Sequence, residues 1–205
     1  IYDDAQGTLW LGGWVQDNGL TLFDKKTGTF SNYKHNPERP RSLGNDNVVN
    51  VSRDRSGIFW ITFLSGEIDK YDPWNQNFEL YQHIPRVSNT LSHDVVTCIY
   101  EDREGTLWVG TQSGLNRFDK HTKTFTHYKH IPNDPDSLDS NHIGDIFEDR
   151  SGRFWLVFHP GNVLSEFDRN SGRILSRYFA PDVDIITKII ADPSDPDTLW
   201  LALRP

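Results

Sequence analysis

The sequence has only one cysteine, Cys98, and therefore cannot form a disulfide bond within the chain. Because this thiol lies in the apolar run of residues 95–100, we expect it to pack as a small hydrophobic side chain. No apolar run approaches the roughly 18 residues of a membrane-spanning helix, and no signal-peptide pattern is found. Acidic residues outnumber basic ones by 29 to 21, and the net charge of −8 argues against a nucleic-acid-binding surface.

Tryptophan, by contrast, recurs at a nearly constant interval. The intervals are 50, 48, 47 and 45 residues, and the positions are Trp10, Trp60, Trp108, Trp155 and Trp200. Each of the first four follows the same phrase, in which an aspartate and then a glycine precede the tryptophan at fixed distances. A period of about 40–50 residues with aromatic and turn residues at fixed places is typical of a β-propeller, one blade per repeat.

The third repeat shows the pattern of one blade most clearly. An apolar inner strand at 94–100 precedes a turn at 102–105, where Asp can bond the backbone and Gly can take a positive φ. Strands at 106–110 and 115–118 and an alternating outer strand at 124–129 complete four antiparallel strands. We expect the repeated tryptophans to be buried between neighbouring blades. The predicted blades cover about residues 1–35, 46–83, 94–130 and 141–180, with a partial fifth at 184–205.

Two phrases carry a resemblance to a known family. They are Leu138-x-x-Asn141-x-Ile143-x-x-Ile146-x-Glu148-Asp149-x-x-Gly152-x-Phe-Trp155 and Trp108-Val-Gly-Thr-x-x-Gly-Leu-Asn-x-Phe-Asp119. Both resemble the two-component regulator propeller repeat, and similar phrases cover nearly the whole chain. The resemblance implies part of a seven-bladed all-β propeller, on the periplasmic or extracellular side of the inner membrane, in a bacterial hybrid sensor kinase. It also implies a homodimer formed through the parent sensor, whose other parts contact the membrane.

The first three repeats differ in length at one place only. From the tryptophan to the aspartate of the third turn the distances are 14, 12 and 11 residues. The remaining intervals, from that aspartate to a tyrosine, to a link leucine and to the next tryptophan, are constant at 9, 10 and 17 residues. The variable interval contains the turn between the second and third strands. This turn and the link to the next blade lie at the same end of the blade, which we call the top. Because loops on a rigid scaffold carry binding diversity, we expect the site there.

The candidate ligand-binding residues lie in or beside these second turns. Trp14 is an aromatic residue outside the repeated position, and its flat ring suits the C–H face of a sugar, with amides and hydroxyls nearby for the sugar's own hydroxyls. The alternative is that Trp14 only packs against a neighbouring loop. The complete set is Trp14, Gln16, Asp17, Phe63, Ser65, Gln112, Ser113 and His159.

Other polar groups in the sequence are better explained by structure. Three histidines recur at the start of the link, but in different blades, where ligands cannot converge on one metal ion, so we interpret them as capping or packing residues. They are His35, His83 and His130. The three aspartates within residues 134–139 lack the glycine and the closing glutamate of a calcium loop. The proline-rich phrase at residues 192–200 resembles a turn of sialidase-type propellers, and we interpret it as a turn. We therefore predict no metal and no cofactor.

The sequence favours a binding and signalling module over an enzyme. Nearly every acidic residue belongs to a repeated turn, which leaves no obvious acid and base pair for a glycosidase, and there is no nucleophile elbow. We therefore expect a sensor fragment that recognises an oligosaccharide or another small ligand. The alternatives are a carbohydrate-active propeller enzyme, of glycosidase or lyase type, and a protein-interaction scaffold. Because the sequence opens and stops within a repeat, we expect a longer parent protein.

Overall fold

The computed structural model of the chain describes residues 1–13, 19–39, 41–74, 77–180, 185–192, 194–195 and 198–204. All regular secondary structure in these ranges is β-strand, and within them no helix is long and apolar enough to cross a membrane. The strands are β1 Tyr2–Asp3, β2 Thr8–Gly12, β3 Leu20–Asp24, β4 Thr29–Tyr33, β5 Val48–Arg53, β6 Phe59–Phe63, β7 Ile68–Asp72, β8 Asn77–Tyr81, β9 Val96–Glu101, β10 Leu107–Thr111, β11 Gly114–Asp119, β12 Thr124–Tyr128, β13 Ile143–Glu148, β14 Phe154–Phe158, β15 Val163–Asp168, β16 Arg173–Phe179, β17 Ile185–Ala191 and β18 Leu199–Arg204.

These strands form five sheets in which neighbours in the sequence are neighbours in space. Sheets one to four are β1–β4, β5–β8, β9–β12 and β13–β16, and a two-stranded fifth sheet contains β17 and β18. Every described pair is antiparallel. The prediction of four-stranded antiparallel sheets is thus confirmed. Two compact units contain them: Ile1–Val87 with Asp94–Val96, and Ser88–His93 with Thr97–Pro205.

The repeated Asp-to-Trp phrase builds the first turn of each sheet. In the third sheet, Asp102 Oδ1 accepts the backbone N–H groups of Glu104 and Thr106 at 3.0 and 2.9 Å. Asp102 Oδ2 accepts the indole N–H of Trp108 at 2.8 Å. Gly105 has a φ of +81°, a conformation that L side chains rarely adopt. One carboxylate therefore fixes both the turn and the orientation of the tryptophan.

The same indole-to-carboxylate hydrogen bond recurs in the second, fourth and fifth sheets. The pairs are Trp60 with Asp54, Trp155 with Asp149 and Trp200 with Asp192, at 3.1, 2.9 and 2.8 Å. In the fifth sheet the aspartate stands eight residues before the tryptophan rather than six. The proline-rich phrase at 192–200 is therefore a lengthened version of the repeated turn, as its interpretation as a turn predicted.

The recurring histidines close the links. His35 Nδ1 lies 2.9 Å from the backbone oxygen of Leu43, and His130 Nδ1 lies 2.6 Å from that of Leu138. The two leucines are each 1% exposed, so the imidazole anchors the segment that buries them. The capping interpretation is confirmed for these two histidines. Among the described residues, no group of three metal-ligating side chains could hold an ion.

The core of the first unit lies between its two sheets. Trp10 is 4% exposed, and its ring stacks on Phe59 with 3.8 Å between centroids and 20° between planes. Tyr71 meets the same indole edge-on at 5.6 Å. Leu20 and Ile61 in this cluster are fully buried. The tryptophan of one sheet thus packs on the strands of the next, as predicted.

The second unit repeats this arrangement and adds a charged network. Trp108 is 1% exposed and lies 5.1 Å from Phe154 and 5.9 Å from Phe167 of the fourth sheet, measured between ring centroids. Beneath it, the Arg169 guanidinium lies 3.0 Å from the Asp102 carboxylate and 3.1 Å from the Glu148 carboxylate. Both carboxylates are almost completely buried, so the arginine neutralises charge that burial would otherwise destabilise.

The burial predicted for the repeated tryptophans is right for four of them and wrong for Trp200. Trp10, Trp60, Trp108 and Trp155 are at most 4% exposed, whereas Trp200 is 60% exposed. Trp155 packs in one cluster with Ile186 and Ile189 of β17. Within the described ranges no further sheet follows the one that contains Trp200. Burial of this residue type therefore depends on the next sheet and not on its own turn.

Candidate functional site

The second turns differ in length from sheet to sheet. β2 ends at Gly12 and β3 begins at Leu20, which leaves seven residues, 13–19, between them. The corresponding turns are 64–67, 112–113 and 159–162, or four, two and four residues. The variable interval found in the sequence therefore coincides with the second turn in each sheet. Trp14, Gln16 and Asp17, the leading candidates, lie outside the described residues.

In the second sheet the structure separates the two candidate side chains. Phe63 is 1% exposed and belongs to the core cluster of the first unit, so it supports the turn from below and is not at the surface. Ser65 is exposed, and its hydroxyl donates to Glu67 Oε2 at 2.7 Å. The sequence did not reveal this difference because β6 is buried on both faces. Apolar and polar residues therefore do not alternate along it, and no change in pattern marks its end.

Leu64, which was not among the predicted residues, is a second exposed residue at this turn. Its side chain is 52% exposed, and its backbone N–H donates to the backbone oxygen of Asn47 at 3.1 Å. Val49, on the adjoining inner strand, is 50% exposed. Leu64 stands four residues after Trp60, and counting from each repeated tryptophan gives Trp14, Gln112 and His159 at the same place. Counting four residues from the repeated tryptophan would therefore have identified Leu64 from the sequence.

In the third sheet the short turn is held from within. Gln112 is exposed, and the Ser113 N–H donates to Thr111 Oγ1 at 3.0 Å. The Thr111 hydroxyl is fully buried and also lies 2.8 Å from Ser92 Oγ. Gln112 therefore presents its amide from a rigid support, while Ser113 takes part in the support.

His159 of the fourth sheet pairs with a second histidine. The ring centroids of His142 and His159 are 5.3 Å apart at an interplanar angle of 70°. The backbone N–H of His159 donates to the backbone oxygen of His142 at 2.9 Å. Burial lowers the pKa of both imidazoles, and the neighbouring His159 and His93 lower that of His142 further. Both rings are therefore neutral at pH 7, and each can donate one hydrogen bond and accept another.

A glycine in a bulge of the inner strand makes room for this pair. Gly144 lies between the paired residues Ile143 and Asp145, where the register of β13 against β14 shifts. A Cβ at Gly144 would stand 2.6 Å from His159 Nε2, so any side chain would displace the imidazole. The register shifts at the equivalent point of β5 and β17 as well. The bulge re-aims the inner strand beside each second turn.

Replacing Gly144 with alanine is expected to displace the His159 ring and to move the pKa of both imidazoles back toward the ordinary value. The backbone at Gly144 has an ordinary φ, so the added methyl acts only through the close approach to His159. An NMR titration of the histidine ring protons measures both pKa values. Unchanged titration of His142 and His159 in the variant would contradict this geometry.

An aspartate of β13, Asp145, and a lysine of β17, Lys188, lie near the histidine pair. Asp145 is 8% exposed, and its Oδ2 accepts the backbone N–H of Ile189 at 2.8 Å. Burial raises the pKa of this carboxyl, while the Ile189 hydrogen bond, the Lys188 charge and His159 act in the opposite direction. The equivalent residue in the third sheet is Cys98, whose thiol pKa burial raises to about 12. The thiol is therefore not ionised at pH 7, in keeping with the packing role expected of it.

Comparison with known proteins assigns the repeat. Residues 90–113 match the family described as two component regulator propeller. These residues are similar to the two component regulator propeller repeat. They run from the end of the link through β9 and β10 to the second turn, so the repeat contains the Asp-to-Trp phrase and both Gln112 and Ser113. The resemblance inferred from the sequence is confirmed. A search of curated proteins found none that matches the chain.

Three solved structures show the fold that the repeat builds. A β-propeller domain from Myceliophteria thermophila covers all of this chain at 12% identity and a TM-score of 0.69, over 61% of its own length. The extracellular domain of a hybrid two component system from B. thetaiotaomicron covers 98% at 23% identity and a TM-score of 0.62. Virginiamycin B lyase from Staphylococcus aureus covers 96% at 18% identity and a TM-score of 0.65, over 60% of its length.

These similarities confirm the fold class: the chain is a fragment of a β-propeller. It spans only 34% of the length of the B. thetaiotaomicron domain that it matches. The sheets share the strand order and the Asp-to-Trp phrase, whereas the residue four positions after the repeated tryptophan, in the second turn, differs from sheet to sheet. Leu64, Gln112 and His159 are the described residues at that position.

Proposed function

We propose that this chain is part of the ligand-sensing region of a bacterial two-component signalling protein, on the extracellular or periplasmic side of the membrane. The regulator propeller repeat at 90–113 supports the signalling context. The fold is also that of an extracellular domain of a hybrid two component system. In this proposal the top ends of the sheets bind an oligosaccharide or another small ligand, and the bound ligand biases the arrangement of the parent sensor.

One observation supports the top ends of the sheets as the ligand-binding site. The residue four positions after the repeated tryptophan is apolar and exposed in the second sheet, an exposed amide in the third and a neutral imidazole in the fourth. Several other positions recur from sheet to sheet, among them the aspartate and the tryptophan of the first turn and the leucine of the first three links. A surface that varies on a constant scaffold is where specificity is built.

The chemistry of this position suits a sugar. In the first unit, Leu64 and Val49 offer exposed apolar area for C–H groups. In the second unit, Gln112 and the paired imidazoles of His142 and His159 can donate to and accept from hydroxyls. Neutral donors and acceptors suit an uncharged ligand because they bring no unpaired charge to the contact. Trp14 would add a stacking surface.

The test is a screen of neutral oligosaccharides against the whole chain by thermal shift, followed by calorimetry with any that stabilises it. Trp14→Ala and His159→Ala are expected to weaken binding by about tenfold or more, which corresponds to the loss of roughly one good contact. Melting temperature without ligand should change little in Trp14→Ala. Trp74→Ala is the matched control, because Trp74 is 82% exposed and follows β7 at the opposite end of its sheet.

Two outcomes would count against the proposal. Equal weakening by Trp74→Ala and Trp14→Ala would show that the top end is not the site. A large loss of melting temperature in Trp14→Ala without ligand would favour the alternative, in which this tryptophan only packs against a neighbouring loop.

A lyase-type enzyme is the second candidate, and the paired neutral imidazoles favour it. The similar structures include virginiamycin B lyase, and a neutral imidazole can act as a general base. Incubation of the chain with polysaccharides and cyclic peptides, followed by mass spectrometry, separates the two functions. Turnover that disappears in both His142→Ala and His159→Ala would replace the sensing proposal with an enzymatic one.

A further inference from the structure

A cavity of about 160 Å³ lies between the first link and the outer strand of the second sheet. It is bounded by His35, Arg39, Leu43 and Gly44 of the link and by Leu80 of β8. This cavity lies entirely within the first unit and is remote in sequence from the second turns. A ligand of this cavity is therefore independent of the proposed sensing function.

The fourth sheet shows what fills the equivalent space there. Arg177 of β16 reaches over the preceding link, and its guanidinium donates to the Asp139 carboxylate. It also donates to the backbone oxygens of Pro135 and Ser137, at 2.6 and 3.3 Å. Asp139 in turn accepts the hydroxyl of Ser165 on β15. A guanidinium held by one carboxylate and two carbonyl oxygens thus closes this end of the fourth sheet.

The second sheet has a carboxylate at this place but lacks the guanidinium. Asp69 pairs with Leu80 in the register of β7 against β8, as Ser165 pairs with Arg177 in the fourth sheet. Gly44 stands one residue after the link leucine, where the fourth sheet has Asp139. The carboxylate of the second sheet, Asp69, is therefore on the strand and not in the link. Leu80 stands where the fourth sheet has Arg177.

Asp69 is left with an unpartnered oxygen. Its side chain is 0% exposed, and Oδ2 accepts the Gly44 N–H at 2.7 Å, whereas Oδ1 has no hydrogen-bond partner among the described residues. Oδ1 lies 2.8 Å from the point that a Cβ of Gly44 would occupy, and Gly44 lines the cavity. Leu80 Cδ1 is 3.0 Å from the same point. A buried carboxylate oxygen without a partner is unfavourable unless a donor reaches it.

We propose that this cavity binds a guanidinium group, which donates to Asp69 Oδ1 and occupies the place that Arg177 fills in the fourth sheet. The group belongs either to an arginine side chain of a partner protein or to a small guanidinium compound. Leu80, which is 44% exposed, turns aside to admit it. Arg39 at the rim of the cavity weakens the binding of a cation, so Arg39→Gln is expected to strengthen it.

A proton is expected to leave when the cation binds. Burial raises the pKa of Asp69 to about 7, Glu67 adds to this effect, and the Gly44 hydrogen bond and His35 oppose it. A bound guanidinium favours the ionised carboxylate. Affinity should therefore rise between about pH 6 and pH 8, and binding should release up to one proton. The titratable and charged groups around Asp69 are His35, Glu67 and Arg39.

Calorimetry of the whole chain with methylguanidinium at pH 8 tests the site. Methylurea, which has nearly the same shape and no charge, is the control ligand. Saturable binding is expected for methylguanidinium and none for methylurea. Asp69→Asn should weaken binding about tenfold or more, since it removes one charge-assisted hydrogen bond. Leu80→Arg should abolish it by filling the cavity from within the chain. Glu79→Gln, which removes a half-buried carboxylate of β8 that pairs with Lys70, should change it little.

The two sources of the group are separated by a second titration. A short peptide with one arginine that binds more tightly than methylguanidinium indicates a protein partner, and equal affinities indicate a small compound. Asn116 occupies the position of Asp69 in the third sheet, so Asp69→Asn is expected to fold. Equal affinity of Asp69→Asn and the unmodified chain, equal binding of methylurea, or no saturable binding at pH 8 would each overturn the proposal.

Discussion

Replacing Trp108 with alanine is expected to lower the free energy of unfolding by about 3–5 kcal/mol, the range found when a large aromatic is removed from a core. The side chain is 1% exposed and contacts Phe154, Phe167 and Tyr128 at centroid distances of 5.1, 5.9 and 5.8 Å. Its loss also removes the indole N–H from the buried Asp102 carboxylate. Urea unfolding followed by circular dichroism measures the change.

Trp200→Ala is the matched control for this prediction. Trp200 donates to Asp192 at 2.8 Å, the same distance as Trp108 to Asp102, but it is 60% exposed. Because the hydrogen bond is common to both, the difference between the two variants measures burial. We expect Trp200→Ala to cost less than about 1 kcal/mol. A loss below about 1 kcal/mol for Trp108→Ala as well would contradict the assignment of Trp108 to the core.

Replacing Asp69 with asparagine is expected to stabilise the chain by about 4 kcal/mol above pH 8 and to have little effect below pH 4. Asn116 shows how an amide satisfies the same position. Its Oδ1 accepts the Ser92 N–H at 2.9 Å, and its Nδ2 donates to the backbone oxygens of Val109 and Gly114 at 3.0 and 3.3 Å. Asp69 Oδ2 accepts the equivalent hydrogen bond, from the Gly44 N–H. Its Oδ1 has no partner among the described residues.

The direction of the pKa shift of Asp69 determines whether stability rises or falls with pH. Burial raises the pKa of Asp69 from 3.8 to about 7 in the folded chain, so the folded state holds a proton that the unfolded state has released. Stability falls as pH rises through this interval and is lowest above it. The asparagine variant lacks this loss. Urea unfolding at pH 4, 6 and 8 should therefore show a stabilisation that grows with pH.

Asp119→Asn is the control of opposite sign. Backbone N–H groups of Thr122 and His121 lower the pKa of Asp119, which is exposed, so its ionised form favours the folded state and its contribution is lost as pH falls. This variant should gain no stability with rising pH. If Asp69→Asn behaved in the same way, the carboxylate of Asp69 would have to be compensated by a partner.

The sequence predicted best those structural features that depend on contacts between residues close together in the chain. Asp102 to Trp108 is a closed local unit in which one carboxylate bonds the turn and the indole, so spacing alone predicts it. His35 and His130 cap links whose length does not vary. The position of the variable turn also followed from counting residues. These features repeat because the same short-range hydrogen bonds must be made in each sheet.

What depends on the neighbouring sheet or strand could not be predicted in this way. Trp200 has the repeated phrase, but its exposure is set by what packs on it. Phe63 and Leu64 are adjacent apolar residues, and only the end of β6 decides which is at the surface. His142 and His159 meet because Gly144 leaves room for the His159 ring. Asp69 is buried although the polar residues Lys70 and Asp72 of the same strand are only partly buried.

In the proposed sensing function, the second turn also determines how easily this scaffold can change its ligand. It ranges from two residues in the third sheet to seven in the first, while the strands on either side keep their pairing. Lengthening a flexible loop by that factor costs only about 1 kcal/mol in closure entropy. Insertions at this place are therefore nearly neutral for stability. Each blade can acquire a new recognition loop independently, so specificity can evolve one insertion at a time without loss of the fold.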